Sequence, residues 1–188
     1  MPVFVGIMLI SNTRLGVVFE DLRFSDLASY GVSLTRLEQG EWYRLISGSF
    51  LSHDTGMLIR QVLLATAAIG WYEWHQGTKR AILMFFTLDI SGTLILMFGL
   101  INGLEWAVFD GLSNLADTFD VGMSAGGFGL IGASLYHLHW RGIAVAGLMT
   151  LLVAKLIFLP DPIADFAHLL MLPLGVLAES ALTRHSVK

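Results

Sequence analysis

The stretch Gly122-Met123-Ser124-Ala125-Gly126-Gly127-Phe128-Gly129-Leu130-Ile131-Gly132-Ala133 decides how the rest of the chain is read. It is apolar enough for a bilayer, yet small residues dominate it. Those four apart (Gly122 and Gly126, Ala125 and Gly129, Gly129 and Ala133) strip one helix face to backbone, so that neighbouring helices can come close. One hydroxyl, Ser124, stands near the start of the predicted helix. Helix-start N–H groups lack intrahelical partners, and the helix dipole favours an anion there. Ser124 is therefore the candidate nucleophile, against the plainer reading of a packing residue.

Composition sets the class around this stretch. Of 188 residues, 55% are hydrophobic and only 14% charged. A soluble domain has about 25% charged residues. The mean hydropathy is +0.69. The net charge of −4 offers no basic surface, so no nucleic-acid partner is expected. The absence of cysteine excludes disulfides and thiolate metal sites. No internal repeat or low-complexity segment appears. The expectation is a single all-α transmembrane domain over 1–188, multi-pass and in contact with the lipid bilayer.

Six spans are predicted, at about 2–19, 57–74, 81–101, 121–140, 142–159 and 163–182. At ~1.5 Å per residue each crosses or nearly crosses a ~30 Å hydrocarbon core. The first is interrupted by Asn12 and Arg14, and it lacks the basic start and cleavage site of a signal peptide. Trp71, Tyr72 and Trp74 mark an interface. Lys79, Arg80, Arg141, Arg184 and Lys188 fall on one side of this layout. Glu105, Asp110, Asp117, Asp120 and Asp161 fall on the other. The positive-inside rule then puts both termini in the cytoplasm of a bacterial-type inner membrane, although Arg23, Arg36 and Arg44 argue the other way.

In that orientation Gln61, Ser124 and His168 all lie at shallow depth beneath the outer face. A serine hydroxyl needs a base to take its proton, and an imidazole does so near neutral pH. The positions four before and four after His168, Ala164 and Leu172, are apolar, so a Ser-His dyad rather than a triad is expected. The backbone N–H groups around Met123 and Ser124, with the Gln61 amide, are the candidate oxyanion donors. His137 and His139, two apart, would point to different helix faces and are read as interfacial. No metal and no cofactor are expected.

The chain resembles the rhomboid intramembrane serine proteases over most of its length. Gly122-Met123-Ser124-Ala125 with the following Phe128-Gly129-Leu130 resembles the nucleophile motif of that family. Ala167-His168-Leu169 is similar to the motif that carries its base, and Gly40-Glu41-Trp42-Tyr43-Arg44-Leu45-Ile46 to the first outer loop. An ungapped count from Glu41 puts Gln61 where the family has an oxyanion Asn, and Glu73 and Gly77 on its Glu and Gly after the second span. The resemblance implies a six-helix rhomboid-like bundle and an endopeptidase that cleaves transmembrane protein substrates. It also implies that Glu41 and Arg44 fix a loop, where spacing alone offers an exposed ion pair.

The departures are specific. The family's oxyanion His falls on Met57, and losing one such donor removes ~2.7–4 kcal/mol of transition-state stabilisation. A family glycine after the base is Met171, which would crowd spans four and six, and Pro173 would kink span six. Arg14, Arg60, Asp89, Lys155 and Glu179 fall in or near spans, and Asp89 should face protein, a cavity or a partner. These features support a rival expectation, an inactive rhomboid-like protein that binds helices or serves among the partner chains of a membrane complex. A small-solute transporter has little support, because no pair of broken helices recurs.

Overall fold

The computed structural model of the chain describes residues 1–101 and 116–185. Glu105, Asp110 and Lys188, which entered the charge argument, lie outside the described residues. Among those described there are nine α-helices: α1 (Pro2–Arg14), α2 (Phe24–Tyr30), α3 (Leu34–Glu38), α4 (Arg44–Ser47), α5 (Thr55–Gln76), α6 (Thr78–Leu94), α7 (Ser124–Tyr136), α8 (Arg141–Phe158) and α9 (Pro162–His185). A 3₁₀ turn covers Gly48–Phe50, and a π-helical segment, Ile95–Ile101, continues α6. Val32 and Asp120 form an isolated antiparallel bridge.

Six membrane-crossing helices are not found. Among the described residues three are long and apolar enough to cross a membrane: Thr78–Ile101, Arg141–Phe158 and Ile163–Arg184. The architecture is therefore all-α with three such helices, not a six-helix rhomboid bundle. The expected span 2–19 is a helix only over Pro2–Arg14, 13 residues. The expected span 121–140 is a helix only over Ser124–Tyr136, also 13 residues. Either reaches about 20 Å at 1.5 Å per residue, well short of a ~30 Å core. α5 has the length, 22 residues, but Arg60, Gln61, Glu73 and His75 dilute its apolar content. Three apolar helices make this a multi-pass membrane protein.

The described residues fall into two compact units. One comprises Met1, Thr66–Gly92 and the described part of Ser124–Lys188. The other comprises Pro2–Ala65 and the described part of Thr93–Met123.

The first unit is organised by the glycines of α7. A Cβ on Gly126 would lie 2.7 Å from the Phe85 ring and from Asp89 Cβ, and one on Gly129 would lie 2.9 Å from Leu88 Cβ, all on α6. On the α9 side the contact is backbone to backbone. A Cβ on Gly132 would stand 2.0 Å from the Leu172 carbonyl oxygen, and one on Gly175 would stand 1.8 Å from the Gly129 carbonyl oxygen. The small-residue face thus does what its spacing predicts: it lets α9 meet α7 at backbone distance and lets side chains of α6 press onto the remaining glycines. Met171 is fully buried, and its Sδ lies 2.7 Å from where a Cβ of Gly92 would be, so it fills the space that a glycine on α6 leaves. Pro173 lies inside α9, which runs on through it for 24 residues in all.

Two turns hold the helix ends of this unit. Gly77, at φ +83°, closes α5, and its N–H donates to the Glu73 carbonyl at 2.9 Å. A left-handed residue after a helix is the usual place for glycine, because any side chain there is strained. α6 starts immediately after it. The residues between α7 and α8 form a second short turn, with the His137 and Leu138 N–H groups donating to the Ser134 and Leu135 carbonyls.

The second unit is pinned by side chains that the sequence presents as interruptions. Asn12 is fully buried, donates to the Met8 and Phe50 carbonyls at 2.8 Å, and accepts from the Ser52 N–H at 2.9 Å. Arg44 is buried and donates through Nε to Glu41 at 2.6 Å and through Nη1 to the Gly31 carbonyl at 2.8 Å. Glu41 and Arg44 are therefore a structural pair that ties a loop. The Arg44 hydrogen bond holds the Glu41 carboxyl below its ordinary value.

Candidate functional site

In the first unit Ser124 opens α7 and His168 lies in the second turn of α9. The His168 ring stacks on Phe128, one turn beyond Ser124, with centroids 4.0 Å apart and planes at 22°. No hydrogen bond joins Ser124 to His168 among the described residues, and the buried His168 Nε2 has no partner at all. A base that is to take a hydroxyl proton must reach it, and this one rests on an aromatic face instead.

The start of α7 is also committed elsewhere. Asp89 of α6, buried, accepts from the Gly126 N–H at 2.8 Å. A carboxylate already occupies the favourable field at that helix end, where an oxyanion would need to develop. Asp89 faces protein, as its position in a span requires.

Gln61 and Met123 belong to the second unit. Gln61 is buried, and its Oε1 accepts from the Ser52 hydroxyl at 3.2 Å, while Nε2 has no partner among the described residues. Gly122, at φ +122°, would bring a Cβ within 2.6 Å of that Nε2 and 2.8 Å of Met57 Cε, so only glycine fits there. Met123 is fully buried.

The endopeptidase expectation is corrected on these grounds. The Ser-His dyad is not formed, and the six-helix architecture on which it depended is absent. The transmembrane protein substrate and the partner chains of a complex fall with it, since only generic apolar helices remain to speak for them.

Polar side chains do converge at the other end of the first unit. Glu179 of α9 is fully buried within a membrane-crossing helix. Its Oε2 accepts from the Tyr72 hydroxyl of α5 at 2.6 Å. Its Oε1 takes Arg80 Nη2 of α6 at 2.6 Å and His137 Nε2 at 2.8 Å. Three elements thus present donors to one carboxylate. A buried charge is tolerated only when paired and hydrogen-bonded in this way.

Beside this cluster lies a cleft of ≈ 330 Å³, lined by Trp71, Tyr72, His75, Gln76, Ser134, His137 and Leu138. His75 Nδ1 is engaged with the Trp71 carbonyl at 2.8 Å, and His137 Nε2 with Glu179, so each ring is fixed through one nitrogen. Ser134 Oγ and Arg80 Nε are buried without partners among the described residues.

The sequence flagged Glu179 as a charge in a span and Arg80 and His137 as boundary residues, but no spacing connects positions 72, 80, 137 and 179. The one available signal was a glutamate in an otherwise apolar helix, which calls for a partner. At the opposite end of α8 and α9, Lys155, also in a span, finds Asp165 at 2.6 Å.

These features define a multi-pass membrane protein with an ionic cluster sealed into its helices. No family model matches the chain, and comparison with curated proteins and with solved structures gives no match either.

Proposed function

We propose that this protein binds a small polar ligand at the Glu179 end of its first unit, as a binding protein and not a hydrolase. One observation carries this reading: an intramembrane carboxylate, fully buried, fixes Tyr72 and His137, and both line an adjoining cleft. Ionisable groups inside a membrane helix are costly to keep, and they mark binding sites and ion paths more often than packing. Glu179 sets the His137 ring in one orientation, so the cleft is organised before a ligand arrives.

We further propose a bacterial-type inner membrane with the Glu179 end of α9, and with it the C-terminus, cytoplasmic. Supporting this, Lys79, Arg80, Arg141 and Arg184 all belong to the helix ends near Glu179, while Asp161 and Asp165 belong to the opposite end of α8 and α9. The kinship with rhomboids suggested by the motifs is proposed for the sequence alone. Neither that fold nor that activity is carried with it.

The test is a thermal-shift panel on detergent-solubilised protein with phosphate esters, carboxylates, amines and lipids. At least one class should raise the unfolding temperature of the natural chain, and the gain should shrink in Glu179→Gln. A panel in which no class shifts it would overturn the reading.

A further inference from the structure

The structure points to a phosphate group as the ligand of this cleft, and we propose that it is the headgroup phosphate of a phospholipid in the cytoplasmic leaflet. This rests on the binding reading above and names the ligand class for that same site.

The charge of the surroundings favours an anion. Lys79 and Arg80 open α6 and Arg141 opens α8, so two helix N-termini and three cations gather at this end. The C-terminal ends of α5 and α7 lie there too, but several carbonyls near them are already met. The Trp71 carbonyl takes His75, the Glu73 carbonyl takes the Gly77 N–H, and the Tyr136 carbonyl takes Arg141 Nη1 at 3.3 Å. Glu179 does not act as a bare anion, because Arg80, Tyr72 and His137 already occupy it.

The groups left over are those that a phosphate oxygen accepts from. Ser134 Oγ is buried without a partner and lines the cleft, and Arg80 Nε is unmet in the adjoining cluster. The Gln76 amide lines the same wall but is not left over, since its Nε2 already meets His137 Nε2 at 3.3 Å. A buried donor with no acceptor carries a desolvation cost, so an oxygen-rich anion removes a penalty that an apolar ligand would leave.

The setting selects the lipid form. Trp71, Trp74 and Trp140 are all more than half exposed at this end, the position of an interfacial aromatic belt at headgroup level. A volume of ≈ 330 Å³ exceeds what a bare phosphate needs and leaves room for the glycerol that follows it. Basic pockets between helices on the cytoplasmic side are where lipid headgroups are recognised.

The experiment uses the full chain in detergent, read by unfolding temperature and by Trp fluorescence. It is titrated with short-chain phosphatidylglycerol, with the matching diacylglycerol lacking phosphate, and with inorganic phosphate. The double variant His75→Phe/Ser134→Ala removes polar groups, the unmet Ser134 hydroxyl among them, from the cleft without touching the Glu179 cluster, and Arg80→Gln serves as a second variant. Phosphatidylglycerol should stabilise the natural chain and diacylglycerol should not, and the double variant should weaken the effect at least tenfold. Inorganic phosphate acting as well as the lipid would overturn the lipid source and move the site to soluble phosphate. Equal stabilisation by diacylglycerol, or an effect unchanged in both variants, would overturn the phosphate proposal. If amines or carboxylates bind and phosphate does not, the ligand class fails while the binding reading stands. If no ligand of any class binds, both fail together.

Discussion

At the residue scale, the largest single effect is expected at Glu179. Its carboxylate receives Tyr72, Arg80 and His137, and it is fully buried. Replacing it with Leu leaves the guanidinium and its neighbours facing apolar walls, and breaking a buried pair from one side costs about 3–5 kcal/mol. Glu179→Leu should lower the unfolding temperature sharply in detergent. Glu179→Leu/Arg80→Leu, which removes both charges, should recover much of the loss. Equal losses in the single and double variants would show that packing, not charge, is responsible.

Glu41 makes a second residue-scale prediction, this one in pH. Its hydrogen bond from Arg44 lowers its folded value, so the folded chain prefers the ionised form more than the unfolded chain does. Its contribution is complete above the ordinary glutamate range and is lost as pH falls toward the lowered value. The natural chain should therefore lose more stability on acidification than Glu41→Gln does, measured from near neutral to below the carboxylate range. Parallel pH profiles would refute this. The group is only partly buried, so the difference is expected to be small.

At the scale of elements, the α7–α9 crossing is the most sensitive contact of the first unit. A Cβ on Gly175 meets a backbone oxygen at 1.8 Å, and backbone cannot swing aside as a side-chain tip can. Gly175→Ala should destabilise by about 1–3 kcal/mol, the usual range for overpacking. Gly147 of α8 offers the control, with nothing within 4 Å of its Cβ position. There Gly→Ala should be neutral or gain about 0.5–1 kcal/mol from helix propensity. The two variants compared by thermal unfolding separate close approach from intrinsic preference.

At the scale of the molecule, the orientation is directly measurable because the chain has no cysteine. Single cysteines at His139 and Asp161, probed in intact cells with a membrane-impermeant maleimide, should be protected and labelled respectively. The reverse pattern would invert the proposed topology. Three long apolar helices also predict that the protein stays with the membrane through alkaline carbonate washing.

The amino-acid sequence alone determined the membrane class, because apolar content and the scarcity of charge depend on composition and not on contacts. It also determined the close approach of helices at Gly126, Gly129 and Gly132, since a missing side chain is missing in any fold. It did not determine how many helices cross. Apolar windows at 2–19 and 121–140 count residues, whereas helix length depends on where turns and caps stop the backbone, at Arg14 and at Ser124.

Tertiary structure alone decided the partners of the polar groups. Ser124 and His168 carry the right chemistry in the right order, yet the imidazole came to rest on Phe128. Glu179, Tyr72, Arg80 and His137 share no spacing and still meet at one carboxylate, because a charge buried among helices is held wherever the fold brings enough donors to it.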